Sequence, residues 1–472
     1  MLNVSGILYF GSRAIAAAGN LLAVMIFTRL AGPAEYGQYV LIYAWSLIVY
    51  GFGAQWVRFA FFGVYHQKKF YEYAASLARL LGCGLVIVAA ILTGLGLFGL
   101  FEPRFLVAVF ALVCGITFYE AAFEVARTGF HAGAASLSMI LRTALTVLCG
   151  SVSLWLQGGA RGLALAIAVA HVIAAIPSLS TIGGIRISHA SRATSLQILG
   201  YGWPLLLAFG INAAGQSIDR LLLAHYLGPA TLGPYGVVAD LIRQCFTVCG
   251  EAIILSVVTV AKRYANEGNR EAADATLLKA FNGCLATACF GAAFFVVFGE
   301  IVLRALLKPE FIAPTRDLIP IFAVAFAFIT MRSYYFAQVI YFTRASFLEL
   351  AVCVLFLVTS VALSLLLVPT YGPHGAAFAL MISCMISCIA FAVLGRRWYR
   401  LPIDFTALAV MPSLAILFML GARATAQLIP SGSVPVIIDA AVFTLLGYFA
   451  ISRFGVLTTT LDVAIPERVT TG

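Results

Sequence analysis

Apolar runs of about twenty residues follow one another from Ile7 to Ala450, each closed by Gly, Pro or charge. Wound as an α-helix, a run of that length crosses a hydrocarbon core about 30 Å thick. A backbone in lipid must satisfy its own hydrogen bonds, which leaves helices or a closed barrel. The 472 residues are 62% hydrophobic and 10% charged, against roughly 25% charged in soluble domains. Fourteen crossings of about 21 residues would use nearly all of that apolar material. The chain therefore reads as an all-α polytopic membrane protein with about fourteen transmembrane helices. No connection is long enough to hold a separate catalytic, nucleotide-binding or nucleic-acid-binding domain, so an enzyme is not expected and no cofactor is called for.

Six spans, near 7–30, 37–57, 74–100, 105–126, 137–156 and 163–185, form a first six-helix bundle, residues 1–185. A polar linker, 186–197, with Arg186, His189 and Arg192, leads to six more near 198–223, 235–261, 276–300, 318–340, 347–368 and 376–395. These make a second bundle, 198–395; two further spans lie within 405–452, before a polar tail, 453–472. With the N-terminus inside, the inner segments hold 16 Lys and Arg and the outer ones 7, the other 6 being within spans. The positive-inside rule then places both termini, the linker and the tail in the cytoplasm. The first span lacks a basic leader and cleavage site and is expected to be retained. The net charge of +10 is spread as single residues, not gathered in a stripe that would bind nucleic acid.

Self-comparison carries more. Leu30-Ala-Gly-Pro-Ala-Glu-Tyr-Gly-Gln-Tyr39 recurs as Tyr226-Leu-Gly-Pro-Ala-Thr-Leu-Gly-Pro-Tyr235, five of ten residues being identical at an offset of 196. At an offset of 213, Ile116, Thr117 and Phe123 match Ile329, Thr330 and Phe336, and Gly159, Gly162 and Ala164 match Gly372, Gly375 and Ala377. The 17-residue difference places an insertion between spans eight and ten, where Leu303 to Asp317 is the longer connection. Six spans per half is an even number, so the halves share topology about an axis along the membrane normal. In that parallel-repeat arrangement a substrate site is expected between the halves.

Thr28 to Tyr39 after span one, its echo before span eight, and Gly-x-x-Gly-x-Ala at spans six and twelve resemble the polysaccharide-transporter flippases of the multidrug, oligosaccharidyl-lipid and polysaccharide exporter superfamily. The resemblance covers roughly residues 5 to 400. It implies two six-helix bundles facing each other in a V, alternating access, and transfer of a polyprenyl-diphosphate-linked oligosaccharide from the cytoplasmic to the periplasmic leaflet of a bacterial inner membrane. Two additional C-terminal helices are common among such relatives. H⁺ or Na⁺ coupling and a polysaccharide polymerase as partner belong to the same expectation.

Ionisable residues within spans cost at least ~2.5 to 3.5 kcal/mol each at mid-helix and so face a wet cavity or a partner. On span eight, Asp240, Arg243, Gln244, Thr247 and Glu251 fall on one helical face. Span seven repeats the pattern with Asn212, Gln216, Asp219 and Arg220. Asp240 and Arg243 suit an i,i+3 ion pair. Glu251, about 12 Å further along the helix, is expected to stand unpaired and to couple transport to an ion, with Glu120, Asp240 and Asp219 as further acids. The six basic residues within spans, Arg13, Arg79, Arg142, Arg220, Arg243 and Arg332, are all arginine. A guanidinium fork matches phosphate oxygens, so these six, with Asn20 on the face of Arg13, are the expected substrate-binding set; snorkelling to headgroups is the competing reading for Arg79 and Arg142. Pro177, Pro204 and Pro320 are expected to kink their helices.

Other motifs fail on context. Gly94-Leu-Gly-Leu-Phe-Gly99 lies inside an apolar span with no preceding strand. The pairs Cys245/Cys249 and Cys384/Cys388 have no His placed to complete a metal site. His171 reads as a satisfied core histidine. A drug exporter of cationic amphiphiles is the alternative within the superfamily and would want an acid-lined cavity. A membrane-embedded polymerase or ligase, the other alternative, would want a larger outer loop than this chain has.

Overall fold

A computed structural model describes residues 4–455, apart from 130, 182, 184–185, 344–345 and 430–433. Most of the expected tail, and Arg344 and Arg468 of the charge count, lie outside the described residues. What is described is helical, with no strand. Twelve helices are long and apolar enough to cross a membrane. One of them, Phe347–Gly395, is two spans, because Gly372 at φ 58°, ψ −131° breaks it. The polar span eight, which starts with Pro229–Ile253, completes fourteen.

Helices begin where the chain supplies a proline or a turn. Pro33, Pro103 and Pro229 occupy first-turn positions, where the missing N–H is no loss. The second repeat explains itself in the same terms. Gly159 and its 213-offset partner Gly372 both adopt positive φ, 64° and 58°, which a residue with a Cβ resists. Each starts a later span of its half.

Several helices outrun their apolar cores. Span one is Val4–Leu30, span two Pro33–Val64, span five Ala132–Trp155 and span nine Arg270–Leu306. Span seven starts at Arg192, so residues 192–197 are helix and not linker. That polar turn is held from span three, Phe70–Leu97: Glu72 accepts from Thr194, Tyr73 donates to Gln197 at 2.7 Å, and Arg79 donates to the Ser191 carbonyl at 2.9 Å and to Ser195. Pro320 sits in the first turn of Ile319–Tyr334 and starts span ten rather than kinking it. Pro204 is inside the span-seven helix, and Pro177 in the short terminal piece Ile176–Ser180 of span six. Spans two and eight each contain a π turn, Gly51–Gln55 and Ile254–Val258, a feature frequent at functional sites.

Spans one to six pack mainly on one another, as do spans seven to twelve; thirteen and fourteen lie against span nine. The two groups meet along span two, whose later part packs on span seven and whose first part crosses span eight. There the 196-offset repeat shows its purpose. A Cβ on Gly37 would fall 1.9 Å from the Pro229 carbonyl oxygen, and one on Gly233 2.0 Å from that of Pro33. The contact is reciprocal, so the repeated Pro-x-x-x-Gly lets two backbones touch at the pseudo-symmetry axis. Phe311, from the longer connection after span nine, packs edge-on against Tyr36 at 6.0 Å and covers the crossing.

Candidate functional site

Spans one, two, four, five and six from the first group and seven and eight from the second enclose a cavity in two joined parts. The wide part has a volume of ≈ 600 Å³ and the narrow part ≈ 210 Å³; Asn20, Arg142 and Gln244 line both. The narrow part points toward the Gly37–Gly233 crossing, and the wide part reaches Arg127 near the far end of span four, Pro103–Thr128.

The polar face of span eight is a wall of this cavity: Asp240, Arg243 and Gln244 line the narrow part, Gln244, Thr247 and Glu251 the wide one. Periodicity alone separated these five from the apolar face behind them. Asp240 does more than pair locally. It accepts from Arg243 at 2.7 Å and from both terminal nitrogens of Arg220, at 2.7 and 3.0 Å. One carboxylate thus serves two guanidiniums, one of which, Arg220, is 5% exposed.

The wide part carries three more ion pairs, Arg13–Glu251, Arg58–Glu120 and Arg127–Glu124. Glu251 is therefore not the unpaired acid the sequence suggested: its partner is on span one, a contact that spacing within span eight cannot reveal. Of the ion pairs between described residues, Arg13–Glu251 is the one that joins the two groups of spans. Glu120, a further candidate acid, is paired too, with Arg58.

Arg142 has no carboxylate. Its guanidinium lies over the Tyr119 ring, 5.2 Å from the centroid, and makes no ion pair or hydrogen bond with a described residue. It points into the cavity and does not snorkel to a headgroup. The cavity walls hold six arginines (13, 58, 127, 142, 220 and 243) against four carboxylates (120, 124, 240 and 251), an excess of positive charge that focuses anions.

Three expected residues lie elsewhere. Arg79 holds the start of span seven, outside the cavity. Arg332 is buried inside the second group, 5.1 and 5.8 Å from the ring centroids of Phe356 and Phe391, donating to the Cys353 sulfur at 3.6 Å. Its place in the last turn of Ile319–Tyr334 turns it toward spans eleven and twelve rather than toward the opposite group. Asp219 faces away from Arg220's partner: it is 2% exposed and accepts from the Tyr235 hydroxyl at 2.7 Å, and its other oxygen has no partner among the described residues.

Sequence reasoning missed Arg58 as a wall residue, since the apolar run seemed to end at 57, and missed Tyr36, Tyr39 and Tyr43. Their spacing of three and four was the available signal. His171 also lines the narrow part, its Nδ1 2.8 Å from the Ile167 carbonyl. Among the described residues no group of His, Cys, Asp and Glu is arranged to hold a metal ion, and the cysteines are free thiols.

No family model matches the sequence, and no curated protein does. Solved structures do. The chain superposes on a lipid II flippase, MurJ, in an inward closed conformation, with a TM-score of 0.72 at 12% identity over 98% of this chain and 100% of that one. An inward-facing multidrug resistance transporter of the MATE family matches with 0.62 at 17% identity over 81% and 94%, and a MOP-superfamily transporter from Pyrococcus furiosus with 0.56 at 18% over 83% and 93%. The chain has the fold of the MOP-superfamily transporters. Across that fold the cavity occupies the space between the two six-span groups, and the structures it resembles are transporters, not enzymes.

Proposed function

We propose that the protein is a secondary-type flippase that moves a polyprenyl-diphosphate-linked oligosaccharide from the cytoplasmic to the periplasmic leaflet of a bacterial inner membrane, by alternating access. One observation carries the reading: Arg142, an arginine without a carboxylate, at the junction of a cavity with six guanidiniums and four acids. Permanent positive charge lining a cavity suits a lipid diphosphate, whose charge-assisted bonds to arginine are the strong kind. It disfavours a cationic drug, because each carboxylate on the walls is already in an ion pair.

The repeat and the inside-positive count support the direction. Both termini are cytoplasmic in this reading, so the Gly37–Gly233 crossing closes the periplasmic end and the wide part opens inward. Arg13, Arg142 and Arg243, with Asn20, bind the headgroup, while Arg220 fixes Asp240. Of the candidate coupling acids, Asp219 has the buried oxygen without a partner among the described residues, where H⁺ or Na⁺ would act; Glu251, Glu120 and Asp240 tune the arginines. A polysaccharide polymerase is the partner expected to take the product.

The test is purified protein in liposomes with a fluorescent polyprenyl-diphosphate oligosaccharide in one arm and a cationic dye in the other. Movement of the glycolipid alone supports the flippase. Movement of the dye alone sinks it and favours the drug-exporter alternative, to which the MATE-like fold would then belong.

A further inference from the structure

The two parts of the cavity differ in chemistry. Both parts carry ion pairs, in the narrow one Asp240 with Arg220 and Arg243, but the narrow part adds a row of tyrosines. Along span two, Tyr36, Tyr39 and Tyr43 line it in succession, ring centroids 5.6 and then 6.0 Å apart. Asn20 and Gln244 add two amides and Thr146 a hydroxyl. None of these six side chains makes a hydrogen bond with another described residue. Tyr36 is buried and the other five are half-buried, and buried phenols ordinarily find a partner. Six together, around one pocket of ≈ 210 Å³, are available to a polar occupant.

The chemistry of that occupant follows from the walls. Neutral groups that both donate and accept fit a molecule dense in hydroxyls. Aromatic faces fit one that also has C–H faces. A lipid chain would leave six polar groups unmatched, and a cationic amphiphile would meet Arg142. A bare phosphate would leave the rings uncovered. A pyranose ring satisfies all of these, and Arg142 at the junction fits the phosphate it carries.

We propose that the narrow part is a sugar subsite: one ring of the headgroup lies on the Tyr39–Tyr43 face, its hydroxyls on the Asn20 and Gln244 amides, with the adjoining phosphate on Arg142. The proposal rests on the flippase reading and deepens it. It makes cargo selection depend on the presence of a sugar, separately from the charge of the diphosphate.

The experiment measures binding to the purified full chain by tryptophan fluorescence, and movement in liposomes, for two probes: a polyprenyl diphosphate and the same lipid carrying one hexose. Wild type is expected to bind the hexose-bearing probe about ten-fold more tightly, a gap of about 1.4 kcal/mol. Tyr39→Leu with Tyr43→Leu should erase that gap and leave the bare probe unchanged. Tyr39→Phe with Tyr43→Phe, which keeps the rings and guards against misfolding, should reduce the gap several-fold. Arg142→Gln should weaken both probes alike. Equal binding of the two probes by wild type, or a gap unchanged in both tyrosine pairs, overturns the subsite, and then glycolipid movement can still stand. A preserved gap in binding with no movement of either probe would overturn the flippase reading and leave the sugar subsite in place.

Discussion

Asp240 is held by two arginines of unequal burial: Arg220 reaches it with both terminal nitrogens from span seven, while Arg243 is on its own helix and 31% exposed at the side chain. Removing the carboxylate strands Arg220, and breaking a buried pair from one side costs about 3 to 5 kcal/mol. Asp240→Asn is therefore expected to lower the melting temperature in detergent markedly, and Asp240→Leu combined with Arg220→Leu to recover much of it; equal losses in single and double variants would contradict this. Arg142 predicts the opposite profile. With no partner to strand, Arg142→Gln should leave melting unchanged and weaken binding of a diphosphate lipid by about ten- to a hundred-fold, the worth of a hydrogen bond to a charged group of about 1.5 to 3 kcal/mol. A drop in melting with intact binding would make Arg142 structural. Neither contrast was legible beforehand. The sequence shows six arginines within spans, but whether each has a carboxylate depends on neighbours far along the chain.

At the scale of the helix, the span-two and span-eight crossing is the feature that composition hides and self-comparison finds. The repeated Pro-x-x-x-Gly could be read as ordinary turn chemistry; the structure adds that its glycine is where two backbones meet. Gly233→Ala or Gly37→Ala requires the helices to separate there, since the obstructing atom is a carbonyl oxygen and no rotamer relieves it. In the proposed orientation this loosens the periplasmic end. A thiol reagent added from outside should reach a cysteine placed at Tyr39 faster in Gly233→Ala than in the parent. Gly94→Ala is the control, because nothing lies within 4 Å of a Cβ at that position. Equal labelling in both would show that the crossing does not seal that end. The polar face of span eight was fully readable because a helix repeats every 3.6 residues. The break at Gln216–Ser217 was not, since the expected span runs on to 223, whereas that at Gly372 falls between the expected spans 347–368 and 376–395.

Across the whole molecule, Arg13–Glu251 joins the two groups of spans through side chains 36% and 41% exposed. So open a pair contributes little to stability, about 0 to 1 kcal/mol, and under the proposed function it would act on the equilibrium between the two packings that alternating access requires. Glu251→Gln should leave melting within error of wild type and change the rate of glycolipid movement, and the exchange Arg13→Glu with Glu251→Arg should restore it. A large melting loss in Glu251→Gln would show the pair to be structural instead. The sequence by itself determined the fourteen spans, the doubling of six and the wet side of span eight, because apolar length, repeat offset and helical period are local or linear properties. Only the tertiary structure decided which charges pair. Arg332 went into a bundle interior, Arg79 to the start of span seven, Glu251 to span one, and Arg142 to the cavity wall over Tyr119. Pairing depends on how helices are rotated against partners up to 238 residues away, and that rotation is settled by packing across both groups at once.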